Sequence, residues 1–355
     1  MPTPTLQLLA GEFPPGLNTA TPETDLTPSE TPDGYGFDLT VDGKIKTGSV
    51  PTVANERATA RVQQINTIST IPYLWHGRRL WNITNLTAST ASNVLTFGAL
   101  DYDEVFYPPS SRFNKIHFSE DTATILAVLP LEPDALFIAK TTGGYVIRNI
   151  SDTRGFFQVS DLVQEMACGA ANRAIVMGNV VYVGNATDGI QSYENFKTNE
   201  VSRKIRPSRA TIGALALTAD FERKLLILGS TYVYDVTADK WFNFSGSSFR
   251  YTTRRVRAPN WSPFSVSRVI FTIEHGDETT GVLKYQLRHD KDDWGKTYTV
   301  RLPYQPDGYT TVFESLEDNF ASRKWQMRIT SLSSGKYIRE IHMETEGFGM
   351  DDYGE

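Results

Sequence analysis

The residue types able to do chemistry are sparse and scattered along this chain. Its five histidines, His76, His117, His275, His289 and His342, stand far apart, and no two share metal-ligand spacing on one helix. The single cysteine, Cys168, has no second thiol to pair with, so no intramolecular disulfide framework is available. A lone thiol of this kind is expected to be a small buried apolar group. No Gly-x-Ser-x-Gly elbow, phosphate loop or Gly-x-Gly-x-x-Gly fingerprint follows a strand pattern.

Among the carboxylates, Asp101, Asp103 and Glu104 come nearest to a catalytic grouping. Asp101 and Asp103 would share one face of a strand. A propeller glycosidase needs two carboxyls about 5–9.5 Å apart, one of them with a raised pKa. Like charges this close along one strand read first as a solvated edge or a turn. The run Asp-Lys-Asp-Asp-Trp-Gly over residues 290–295 resembles a calcium loop only faintly, because it lacks the glutamate about six residues after the glycine. It reads as a turn between strands. These residues predict no catalytic set, no cofactor, no metal and a chain that is not an enzyme.

Two basic clusters are the remaining candidates: Arg203, Lys204, Arg206 and Arg209, then Arg250, Arg254, Arg255 and Arg257. Such groups would contact DNA phosphates or an acidic neighbouring subunit, or form a solvated strand face. No pattern of stacking aromatics accompanies them, which favours the subunit contact. Acidic residues near the C-terminal end (Glu340, Glu344, Glu346, Asp351, Asp352 and Glu355) are a plausible complement. The formal net charge of −6 argues against a dedicated nucleic-acid binder. It suits a surface that duplex DNA passes with weak contact, since like charge removes the counterion-release term.

The elements that would position these groups are β-strands. The 355 residues allow one large or two ordinary domains. Eight of the 18 prolines lie before residue 60, at positions 2, 4, 14, 15, 22, 28, 32 and 51. Residues 1–60 therefore read as an extended N-terminal arm, either ordering on a neighbour or left as a loose tail. On that reading the arm matters for assembly more than for folding.

From residue 71 short apolar runs alternate with Gly, Asn and Asp turns, over residues 71–83, 124–150, 174–193 and 225–244. Paired runs recur near positions 80, 137, 182 and 232, the spacing of propeller blades. Residues 61–262 are accordingly expected to form a β-propeller-like domain, with a plain antiparallel sandwich as the competing architecture. Six further strands are read within 266–273, 281–287, 297–302, 309–313, 325–329 and 337–343, several of which alternate by twos, as in 265–271 and 324–329. They predict a separate antiparallel β-sandwich-like domain over 263–350. One short helix is expected within residues 160–171, capped by Asp161 with Gln164 closing a capping box.

No apolar stretch approaches the ~20 residues of a membrane helix, and the first residues lack a basic start and a long apolar core. The chain is thus expected to fold in a reducing cytoplasm, and the Asn-x-Ser/Thr triplets at Asn82, Asn85, Asn185 and Asn243 read as turns.

The opening segment carries a resemblance. Residues 13–19 (Phe-Pro-Pro-Gly-Leu-Asn-Thr), 25–30 (Asp-Leu-Thr-Pro-Ser-Glu), 36–39 (Gly-Phe-Asp-Leu) and 42–48 (Asp-Gly-Lys-Ile-Lys-Thr-Gly) resemble the start of tailed-phage tail nozzle and packaged-DNA stabilisation proteins. Lys46 stands where that pattern usually has Arg. By motif the resemblance covers about 50 residues. It implies a β-propeller after the arm and a homo-oligomeric ring, usually a hexamer, below the portal and adaptor. It also implies a virion location, other tail or adaptor proteins as partners, and a channel that retains and conducts genomic DNA. A carbohydrate-binding or hydrolysing β-propeller, as in a receptor-recognition tail component, is the second reading, and a monomeric interaction scaffold the third.

Overall fold

The computed structural model describes the chain except for residues 1–4, 11–16, 24, 28–29, 36, 39–43, 48–64, 69–70, 83–92, 98–99, 101–114, 119–121, 155, 245–248, 258–262, 277–278, 291–292, 304–307, 317–320 and 348–355. β-Strand is the dominant regular structure among the described residues, and the one α-helix among them is Arg209–Gly213. The chain divides into two compact units, Thr52–Gly229 and a second composed of Met1–Pro51 with Ser230–Glu355.

The unit Thr52–Gly229 contains two successive four-stranded antiparallel meanders. The first runs Ile125–Leu131, Ala135–Lys140, Gly144–Arg148 and Gln158–Val159. The second runs Ala174–Met177, Val180–Asn185, Gly189–Glu194 and Lys197–Glu200. Four short antiparallel strands in chain order are the unit of a propeller, so the all-β, propeller-like class is established.

The period of two decides how these sheets pack. In Ala135–Lys140 both faces are apolar. Leu136 and Ile138 face a cluster with Leu74, Trp81, Phe97, Tyr145 and Ile147. Phe137 and Ala139 face Val181, Val183, Tyr193 and Cys168 of the second meander. A strand covered on both sides reads as a continuous apolar run, which Ala-Leu-Phe-Ile-Ala does. The ring centroids of Phe137 and Tyr193 lie 5.8 Å apart across that sheet interface. Gly144 is required there, because a Cβ would come within 2.2 Å of Cζ of Phe137.

Turn chemistry sets the register. Gly178 and Asn179 both have positive φ, 58° and 67°, as a two-residue hairpin turn demands. Asn179 also ties the meanders together: its Oδ1 accepts the Glu132 N–H at 2.8 Å and its Nδ2 donates to the Glu132 carbonyl at 3.1 Å.

The expected helix over 160–171 is replaced by two short 3-10 turns, Gln164–Met166 and Ala171–Arg173, without side-chain caps. Tertiary bonding overrides the capping pattern. Val163 exchanges backbone hydrogen bonds of 2.9 and 3.0 Å with Gly144, and Ser160 Oγ accepts the Val146 N–H at 2.9 Å.

The other unit holds an antiparallel sandwich. Its first sheet orders Thr5–Ala10, Lys336–Gly347, Phe264–His275 and Tyr309–Ser315. Its second orders Gly34–Tyr35, Arg250–Thr252, Lys324–Leu332, Gly281–His289 and Thr297–Leu302, with Val256–Arg257 also on Lys324–Leu332. Phe271 and Tyr285 meet between the sheets at 5.2 Å, and Trp325 Nε1 donates to the Phe264 carbonyl at 3.1 Å. The hairpin Tyr232–Asp235 with Lys240–Asn243 belongs to the same unit.

The N-terminal segment departs from the expectation of a separate arm. Thr5–Ala10 adds an edge strand to the first sheet and Gly34–Tyr35 adds one to the second. Prolines break a ladder only where they stand, and both stretches are free of them. Leu17 and Leu26 are buried, each worth ~1.5–3 kcal/mol if fully withdrawn from water.

Candidate functional site

The two basic clusters have different fates. Arg203 and Arg209 are exposed and Lys204 is half-buried on the stretch Val201–Ser208 and Arg209–Gly213, which also carries Arg206. This stretch lies against the strand Gly189–Glu194, where Ser202 Oγ accepts the Ile190 N–H at 3.1 Å. Gly213 approaches so closely that a Cβ would sit 1.8 Å from the Asn185 carbonyl oxygen.

In the second cluster, three arginines engage the N-terminal segment of their own chain. Arg254 donates from Nη2 to the Leu8 carbonyl at 2.9 Å. Arg255 pairs with Glu23 at 3.2 Å, and its N–H donates to the Glu23 carbonyl at 2.9 Å. Arg250 approaches Asp33 at 3.6 Å and lies over the Tyr35 ring at 4.4 Å. Burial lowers the pKa of Arg254 from its usual range, and burial followed by the Glu23 and Arg288 charges sets that of Arg255, also lowered. Arg257 is exposed on its strand.

The motif residues of the opening segment converge on one buried network. Asn18 Nδ2 donates to Glu30 Oε1 at 3.0 Å, while Asn18 Oδ1 accepts the N–H groups of Ala20 and Thr21, both at 3.2 Å. Glu30 Oε2 accepts the Thr27 N–H at 3.1 Å. Leu17 bridges Thr31 and donates to the Trp241 carbonyl at 2.9 Å. Further on, Lys44 and Arg339 both pair with Glu274, and Ile45 bridges Ile338.

Sequence reasoning missed the partners of these groups. Glu23 is held by Arg288 Nη2 at 2.9 and 3.0 Å, and Arg288 Nε donates to Gln326 Oε1 at 2.7 Å. Arg328 bonds Gln286 Oε1 from Nη2 at 2.6 Å, and both Arg288 (4.7 Å) and Arg328 (4.3 Å) lie over the Trp294 ring. The signal was present in composition: the six strands of the second sheet contain no Asp or Glu.

Asp101, Asp103 and Glu104 lie outside the described residues. Asp290 occupies a turn at φ 42°, its N–H bonded to the Lys324 carbonyl at 2.9 Å, while Asp292 is outside the described set. Cys168 is buried against the sheet interface, with Sγ donating to the Ala170 carbonyl at 3.0 Å. Burial pushes its thiol up to about 11. Among the described residues no group of three or more His, Cys, Asp and Glu is placed to hold a metal ion.

No protein-family model and no curated protein matches the chain. Solved structures similar to it include an exo-β-1,3-galactanase from Phanerochaete chrysosporium with galactose, at 10% identity and a TM-score of 0.24, covering 75% of this chain and 78% of that one. A glycoside hydrolase family 43 arabinoxylan arabinofuranohydrolase from Bacillus subtilis with cellotetraose matches at 9% identity and a TM-score of 0.23, covering 86% and 85%. A Bacillus thuringiensis Cry1Da tryptic core variant matches at 11% and 0.21, covering 59% and 48%. These values bring no neighbour's activity to this chain. The expectation of a chain that is not an enzyme is nonetheless corrected, since glycoside hydrolases are among the similar structures.

Proposed function

We propose that the chain is a structural subunit of a tailed-phage tail, a nozzle or head-to-tail component that assembles with copies of itself into a ring and helps retain and conduct genomic DNA. The observation that supports this reading is the fate of the resembling residues. Leu17, Asn18 and Glu30 of that segment are buried and bonded together with Thr31, so these residues are a built part of the fold. The partners on this reading are further copies, likewise other tail or adaptor proteins, with duplex DNA contacted weakly in transit. The location is the virion, after assembly in the host cytoplasm.

The second reading is a carbohydrate-binding or hydrolysing β-propeller, a receptor-recognition tail component. Two exposed aromatics on the meander unit favour it: Phe156 and Phe196, each 69% exposed, each with a guanidinium above its ring. The face of each ring away from its guanidinium would fit the apolar C–H face of a sugar ring. The mass of the purified protein separates the readings. A closed ring supports the first, whereas a stable monomer that binds or cleaves a polysaccharide supports the second and overturns the first.

A further inference from the structure

The second sheet of the sandwich carries its charge on one side only. Its six strands hold seven basic residues, Arg250, Arg257, Lys284, Arg288, Arg301, Lys324 and Arg328, and no acidic one. The register places all seven on the same face. Arg328 lies opposite both Gln286 and Thr252, Arg257 opposite Lys324, and Lys284 opposite Thr299. The alternate residues, Tyr251, Leu283, Tyr285, Leu287, Met327 and Ile329, are buried against the first sheet. In a chain of net charge −6, the rest of the molecule is therefore more acidic than the whole.

This face already takes carboxylates. Glu23 sits between Arg255 and Arg288, and Asp33 lies beside Arg250. They do not neutralise it. The hydrogen bonds of Arg328 go to the neutral amide of Gln286, and burial first, then the Arg250 charge, lowers its pKa from the usual arginine range, with Asp33 opposing and Arg288 adding to the shift. Lys284 and Arg301 are exposed, and among the described residues neither forms an ion pair.

On the outer side of the first sheet four carboxylates, Glu274, Glu340, Glu344 and Glu346, stand beside three cations, Lys44, Arg268 and Arg339. Arg268 pairs with Glu344, while Lys44 and Arg339 pair with Glu274. Among the described residues Glu340 pairs with His342, and the Glu346 side chain makes no hydrogen bond or ion pair.

We propose that the basic face of the second sheet docks against the acidic outer face of the first sheet of a second copy, around Glu340 and Glu346, and that this head-to-tail contact builds the ring. Sign decides the geometry. A two-fold pairing through the basic face would set two net-positive faces together, whereas a heterologous contact sets unlike charges together and closes a ring or extends a filament. The inference rests on the ring reading above and adds which faces meet.

The test compares sedimentation of the wild-type chain with that of the triple variant Lys284→Ser, Arg301→Ser, Arg328→Gln and of the double variant Lys284→Ser, Arg301→Ser. The double variant alters exposed groups only and guards against a folding defect in the triple. The expected result is a single closed assembly for the wild type and at least a tenfold higher concentration for assembly of each variant, with 0.5 M salt acting in the same direction. Variants that assemble like the wild type sink this contact and leave the ring standing. A wild-type monomer at every concentration removes both. If a 20-base-pair duplex binds the wild type and not the variants, while assembly is unchanged, the face belongs to nucleic acid and the second copy is excluded.

Discussion

The side-chain amide of Asn18 and the carboxylate of Glu30, twelve residues apart, meet at 3.0 Å in a site where both are buried. Each also fastens backbone donors: Asn18 holds Ala20 and Thr21, and Glu30 holds Thr27. Asn18→Ala would leave one face of a buried carboxylate without its donor. The expected cost is about 1–3 kcal/mol, read as a lower midpoint in urea with an unchanged slope. An unaltered midpoint would show that the network contributes nothing to stability.

Deleting residues 1–35 should destabilise the sandwich unit instead of leaving it intact. The deletion strips an edge strand from each sheet and leaves Arg254, Arg255 and Arg288 without the groups they now bind. With a loss of several kcal/mol, and about 2–4 °C per kcal/mol for a unit of this size, the melting temperature should fall by roughly 10 °C or more. Exposed edges should also promote aggregation. A truncated protein that melts with the full chain would restore the picture of a separate arm.

Acid should weaken the sandwich through Glu274. Burial raises its carboxyl pKa, but hydrogen bonds and charge from Lys44 and Arg339 outweigh that, leaving it below the ordinary 4.5. A folded pKa below the unfolded one gives stability that is complete above pH 4.5 and is lost as pH falls through the folded value. Glu274→Gln should therefore flatten the decline in stability below pH 4.5 and lower stability at neutral pH. Identical acid profiles for the two proteins would locate the sensitivity elsewhere.

Cys168 should resist thiol reagents while the protein is folded. Its pKa is pushed to about 11 by burial, so little thiolate exists at pH 8 and access is closed. Labelling by an aromatic disulfide reagent should proceed only in denaturant, at one equivalent per chain. Prompt labelling of the native protein would mean that the interface between the meanders opens readily.

Much of the strand layout was legible in the residues themselves. The strand expected over 297–302 is Thr297–Leu302, and Gly178-Asn179 forms the hairpin turn its composition requires. These features are local: side-chain period and turn conformation act within a few residues. The helix expected near Ser160 was lost to a long-range competitor, the bonds between Val163 and Gly144. The prolines of the opening segment concealed its two strands, because an edge strand draws its ladder from residues hundreds of positions away, Met343 and Tyr251 among them. The basic clusters show the same division. Sequence identified Arg250 and Arg255 by proximity along the chain. Only the fold placed Arg288, Arg328 and Trp294 beside them and seven cations on one face, since strand pairing brings together charges that sequence distance keeps apart.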